Sequence, residues 1–253
     1  MSAIAIVVIV FACVFGSAVF GLFLHTLLPE HHLSSESKDV VKLAMGLIAT
    51  MAALVLGLLT ASARSYFEEQ NAETIHVAAE IIQLDRALAG YGPETKEIRN
   101  LLRQAVAFRI SLTWPKDGSA PGNLDSAEMT RAAEGVEDKI INLAPHSELQ
   151  REFKSRAVRI AGELMATRWL RIAQLSDPVP VLFVVVVVFW LSILFGTFGL
   201  FAPHNATVIT ALVLSAVAVA GSIFLILEMH QPFEGVMKIS PAPMRYALSR
   251  IGQ

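Results

Sequence analysis

Four uncharged apolar stretches divide the chain. They cover residues 3–24, 43–63, 179–201 and 207–227. Each has about the length needed to cross a ~30 Å hydrocarbon core at 1.5 Å per residue. The first lacks a preceding Lys or Arg and is long for a signal peptide, so it reads as a retained helix. The third contains the β-branched run Val184–Val188. In water that run suits a strand. In lipid a lone strand leaves its backbone unsatisfied, so a helix is expected. The polar segment from His25 to Lys38 reads as a short hairpin around Pro29, and Ala202–Ala206 reads as a tight turn. Asn205-Ala206-Thr207 matches a glycosylation sequon, but in so short a turn Asn205 reads as a helix cap.

Between the second and third stretches the pattern becomes mixed but stays helical. The second stretch continues without a breaker through Arg64–Tyr91 until Gly90, Gly92 and Pro93, a single rod of roughly 80 Å. A helix then opens at Pro93-Glu94 and ends at Trp114-Pro115. Another runs from about Asp125, as N-cap, to Leu143. A fourth starts at Ser147, with Gln150 three residues on as a capping box, and reaches about Leu175. A last short helix begins near Pro243. The reading is all-α: a polytopic membrane protein with four transmembrane helices and a cytoplasmic helical bundle between the second and third. The domains are 1–63 (helices 1 and 2), 64–177 (cytoplasmic), 178–230 (helices 3 and 4) and 231–253 (cytoplasmic tail). Arg64, Arg168, Arg171, Lys238, Arg245 and Arg250 all fall on one side. By the positive-inside rule that side, with both termini, faces the cytoplasm.

Composition agrees with this picture and removes several alternatives. Hydrophobic residues make up 54% of the chain, and mean hydropathy is +0.56. Net charge is −2, so no basic field points to nucleic acid. Residues 64–177 carry 15 Lys and Arg against 17 Asp and Glu, a balanced surface. Cys13 is the sole cysteine, which removes an internal disulfide and a cysteine zinc site. No metal ligand set or cofactor motif is visible, and no nucleophile–base pair supports an enzyme. His25, His31, His32 and His204 read as solvated loop residues. Asp85 and Arg86 read as exposed partners for Arg99 and Arg103, each pair worth at most about 1 kcal/mol.

Candidate function lies on the rod. Gly46, Thr50, Ala53, Gly57, Thr60 and Arg64 follow steps of 4, 3, 4, 3 and 4, one face of a helix. In lipid such a face either admits another helix closely or lines a narrow wet path. Below it, Glu68, Glu69, Glu73 and Glu80 are candidates for acidic rings, as are Glu36 and Asp39 near the outer mouth. Arg64 opposes them, leaving the ion's sign open. Glu228, at the inner end of the last crossing, reads as facing water or pairing with Arg64 or Arg171. An ion-interacting role for it is the sharper alternative.

Several segments resemble the bacterial bestrophin-like membrane family. They are His25…Pro29, ALVLGLL (53–59), LDRALAGYGPE (84–94), RNLLR (99–103), Trp114-Pro115, FWLSILFGTFGLFAPHNATV (189–208) and LEMHQPFEG…ISPAPMRYAL (227–248). A more distant resemblance connects the chain to bestrophin ion channels. It implies a homo-oligomer, usually a pentamer, in the bacterial inner membrane. Small inorganic ions would pass through a pore lined by the second crossing and its cytoplasmic extension. Two departures stand out. The bulky apolar pore rings of bestrophins are replaced on the expected face by Gly, Ala and Thr. Pro232-Phe233-Glu234-Gly235 is not followed by an acidic calcium-binding run, although Glu234 itself is a candidate ion-interacting residue. The competing reading is a non-conducting scaffold or sensor whose cytoplasmic bundle docks a partner.

Overall fold

A computed structural model describes residues 3–29, 35–115, 119–122, 126–174, 181–203 and 205–253. Eight α-helices are described: α1 Ala3–Leu27, α2 Ser35–Tyr91, α3 Lys96–Thr113, α4 Ala127–Ile141, α5 Glu148–Gln174, α6 Val181–Phe201, α7 Ala206–Met229 and α8 Ala242–Arg250. Among the described residues there is no strand. Helices α1, α2, α6 and α7 are long and apolar enough to cross a membrane.

The rod is continuous, 57 residues without a break. It stops because Gly92 has φ +138° and ψ −178°, a backbone region that only glycine enters at low cost. The exposed carbonyls at its end are satisfied locally. Thr95, fully buried, donates its hydroxyl to the Leu88 and Gly92 carbonyls at 2.6 and 2.8 Å, and Gln150 Nε2 donates to the Tyr91 carbonyl.

Other termini correct the sequence in detail. The cap of α4 is Ser126, whose hydroxyl accepts from Met129 N–H at 3.3 Å; Asp125 lies outside the described residues. Ser147 Oγ accepts from Gln150 N–H as a capping box requires. The return arm reaches one residue further out, Gln150 Oε1 accepting from His146 N–H at 2.8 Å. Asn205 caps α7 through Val208 N–H at 2.9 Å. His25 is not in a loop. It sits in the last turn of α1, with Nδ1 2.7 Å from the Leu200 carbonyl. His31, His32, His204 and Asp177-Pro178 lie outside the described residues.

The chain forms two compact units. The first comprises Met1–Phe67 and Val179–Gln231, the second Glu68–Pro178 and Pro232–Gln253. In the first, Val14 and Ala18 of α1, Phe195 of α6 and Ala216 and Ile223 of α7 form one apolar core. Leu59 and Ala63 of α2 join Val187, Ile226 and Met229 in another. Helices α1 and α6 approach through small residues. A Cβ added at Gly21 would overlap the Gly196 carbonyl, and one at Gly199 would overlap the Ala18 carbonyl. Gly16, by contrast, faces open space. Replacing Gly199 by Leu is therefore expected to destabilise the detergent-solubilised protein by about 1–3 kcal/mol. The same change at Gly16 should have little effect, and paired thermal-unfolding curves check this.

In the second unit, α2 supplies Val77, Ile81, Leu84 and Leu88 to a core completed by α3, α4, α5 and α8. Phe153 of α5 packs where a side chain at Gly90 would otherwise stand. The segment after α7 folds back by Ile239 N–H donating to the Pro232 carbonyl at 2.8 Å. Trp114 holds it there. Its Nε1–H donates to the Ile239 carbonyl at 2.8 Å, and its ring meets Phe233 edge-on at 5.5 Å. The Trp-Pro and Pro-Phe pairs of the sequence thus form one joint.

Candidate functional site

Helix α2 presents three strips in its membrane half. At 100° per residue, Gly46, Thr50, Ala53, Gly57, Thr60 and Arg64 fall within an arc of about 80°. All six are exposed in the single chain. A Cβ at Gly46 or Gly57 would meet nothing within 4 Å. The packed strip, with Ala52, Leu59 and Ala63 buried and Val55 and Leu56 half-buried, lies about 120° round on one side. On the other side, about 90° away, runs a strip of leucines. Leu43, Leu47, Leu54 and Leu58 are 79%, 64%, 75% and 66% exposed. The spacing of these leucines is visible in the sequence, but leucines at helical spacing in lipid carry no signal that separates them from ordinary membrane contact.

The hydroxyls on the small-residue strip are anchored to their own helix. Thr50 Oγ1 donates to the Gly46 carbonyl and Thr60 Oγ1 to the Leu56 carbonyl, both at 2.8 Å. Their donors are spent, and their lone pairs still point outward as acceptors. At the outer end, Gly46 also borders a cleft of about 520 Å³ between α2 and α6, with Lys42, Met45, Thr197 and Phe201. Lys42 pairs with Asp39 at 3.2 Å.

The acidic residues below Arg64 do not share a face, which corrects the expected rings. Glu68 and Glu69 are exposed. Glu68 continues the small-residue strip one turn past Arg64. Glu73 lies five residues on from Glu68, about 140° round the helix, and is turned into the bundle. There it meets Arg171 at 3.4 Å. Glu80 shares that inward side and is buried, 3.6 Å from His76 Nδ1. Burial holds its carboxyl above the ordinary range, and Glu163 adds to this; His76 and Arg159 oppose it. An acid with a raised folded pKa costs stability as pH rises from its unfolded value through its folded one. Glu80→Gln should therefore raise the unfolding temperature at pH 7 and leave it nearly unchanged near pH 4, read by thermal melts at both.

Glu228 does not face water. It is 4% exposed in the last turn of α7, among the core residues Ile226, Leu227 and Met229. Glu234 is exposed on the folded-back segment. It borders a cleft of about 320 Å³ that Trp114, Lys238 and Arg245 also line. Among the described residues no group of three or more His, Cys, Asp or Glu is placed to hold a metal.

The match to known folds covers the whole chain. A bacterial bestrophin homologue from Klebsiella pneumoniae, solved as a single-substitution variant, superposes with a TM-score of 0.61 at 14% identity. It covers 100% of this chain and 99% of that one. A second variant of the same homologue gives 0.58 at 13% identity over 98% and 99%. No curated protein matches by sequence. The family model described as the Bestrophin-like domain matches residues 5–244. With its apolar helices, this makes the chain a membrane protein with a channel-type fold, and it belongs to the bestrophin-like family.

Proposed function

We propose that this chain assembles around a rotational axis, as a pentamer, and conducts small ions passively through a pore lined by α2. The supporting observation is the strip Gly46–Arg64, left uncovered by its own chain while the adjacent side of the same helix is packed. A face of glycine, alanine and threonine lets copies of α2 come close without filling the space between them. Threonine oxygens and backbone carbonyls exposed by glycine then offer partial charges to a partly dehydrated ion. Arg64 and Glu68 follow on the same strip with opposite signs. The arrangement sits in the bacterial inner membrane, with both termini and residues 64–177 in the cytoplasm. Juxtamembrane arginines support that orientation.

The leucine strip favours a second reading. If Leu47, Leu54 and Leu58 faced the axis instead, the centre would be dry, and the assembly would act as a scaffold or sensor. Planar-bilayer recording of the purified oligomer tests the proposal. Unitary currents that scale with salt gradients support conduction. A silent bilayer with correctly assembled oligomer rejects it.

A further inference from the structure

The second unit contains a cavity that neither the pore strip nor the helix joints explain. It lies between α2, α3, α4 and α5 and measures about 80 Å³. Its body is apolar, formed by Leu84, Leu102, Val136, Ala161, Leu164 and Met165. Two arginines, Arg109 and Arg168, stand on its wall, and so does Glu137. Arg109 and Arg168 also border a smaller adjoining space with Arg171. Three guanidinium groups from α3 and α5 are thus gathered near two acidic residues, Glu73 and Glu137.

The arginines are not equivalent. Arg171 is paired with Glu73 and lies over the Phe233 ring at 4.7 Å. Arg168 donates from Nη2 to Thr130 Oγ1 at 2.7 Å and lies over the Trp169 ring at 5.2 Å. Arg109 is half-buried and makes no hydrogen bond or ion pair among the described residues. Its charge is held where charge is costly. Burial first, then repulsion from Arg171 and Arg168, lowers its pKa to about 10, with Glu73 opposing. An anion at that position would relieve both burdens at once.

We propose that this cavity binds a small organic monoanion, a short-chain carboxylate, with its charged end on Arg109 and its apolar body among the α2–α5 side chains. A planar guanidinium suits a carboxylate through two parallel hydrogen bonds. The apolar lining requires a hydrocarbon body rather than a bare inorganic ion, which would gain nothing from Leu84 or Val136. Size limits that body. A cavity of about 150 Å³ takes a benzene ring, so about 80 Å³ suits a hydrocarbon body of roughly three or four carbons beyond the carboxylate. The site is independent of conduction, and binding reads it directly.

The test is calorimetry and thermal unfolding of the purified full-length protein with sodium pentanoate. Pentanol, pentylammonium chloride, sodium chloride and sodium phosphate at matched ionic strength serve as comparators. Saturable heat and a saturable rise in melting temperature are expected with pentanoate alone. Arg109→Gln should weaken binding by about tenfold or more, the loss of one charge-assisted pair. Ala133→Leu, on the cavity wall, should abolish it by filling the space while the unliganded protein still melts cooperatively. Equal shifts with phosphate and pentanoate would overturn the proposal in favour of a bare-anion site. Wild-type affinity in both variants, or no saturable binding at millimolar pentanoate, would overturn it outright.

Discussion

Thr50→Trp is expected to silence the assembled protein, and Leu58→Trp is not. The two positions are about two turns apart on α2 and about 80° apart round it, both exposed in the single chain, and lie on different strips. In a ring of copies with Gly46, Thr50 and Gly57 toward the axis, one substitution adds an indole per subunit to the same level of the pore. A tryptophan side chain has about 150–250 Å² of surface, far more than the 1-hydroxyethyl group it replaces. Current should fall by more than about tenfold, a barrier increase above ~1.4 kcal/mol. Leu58 in that arrangement faces lipid or a neighbouring helix, where one large apolar side chain replaces another. Cysteine at each position gives the same contrast with a charged thiol reagent. Cys at 50 is expected to react and block, and Cys at 58 to stay unreactive. Reversal of the pattern, with position 58 controlling current, would place the leucine strip on the axis and make it the constriction.

How much of this was legible beforehand depends on the kind of signal. Uncharged length announces a crossing, and the rod ended at Gly92-Pro93 because both residues oppose a helix in ways visible in their covalent structure. Asn205 and Ser147 were legible as caps for a similar reason. Facing was harder. Glu68 and Glu73 look alike in sequence, but five residues turn one outward and the other toward Arg171. The periodicity was available, but the long-range partner that rewards it lies 98 positions away. Likewise the small-residue strip drew attention because glycine and threonine are unusual in lipid, whereas leucines at helical spacing look like ordinary membrane contact. Only the packed strip, Ala52–Ala63, shows that both of the others remain uncovered.

The structure departs furthest from the sequence pattern at Asp85, which also sets the largest expected stability loss. The sequence suggested exposed pairs worth at most about 1 kcal/mol. Instead Asp85 is 1% exposed, and Arg99 clasps it in a fork, Nε to Oδ1 at 2.7 Å and Nη2 to Oδ2 at 2.9 Å. The carboxylate also accepts from Gly252 N–H at 3.3 Å. Arg86 and Arg99 both donate to the Gln253 carbonyl, so one buried carboxylate ties α2, α3 and the end of the chain together. The hydrogen bond to Asp85 raises the Arg99 pKa above its ordinary value, so the guanidinium keeps its charge. Removing one member strands the other. Asp85→Ala should cost about 3–5 kcal/mol, because a guanidinium only partly open to water is left without its fork. Arg99→Ala should cost a similar amount by leaving Asp85 buried and alone. If the loss comes from the stranded partner, the double variant must be far less damaged than the sum of the two, with a coupling of about 1–3 kcal/mol in denaturant unfolding. Additive losses would instead mean that the α2–α3 contact is held by Leu84, Leu88 and Leu102 packing, with the ion pair incidental to it.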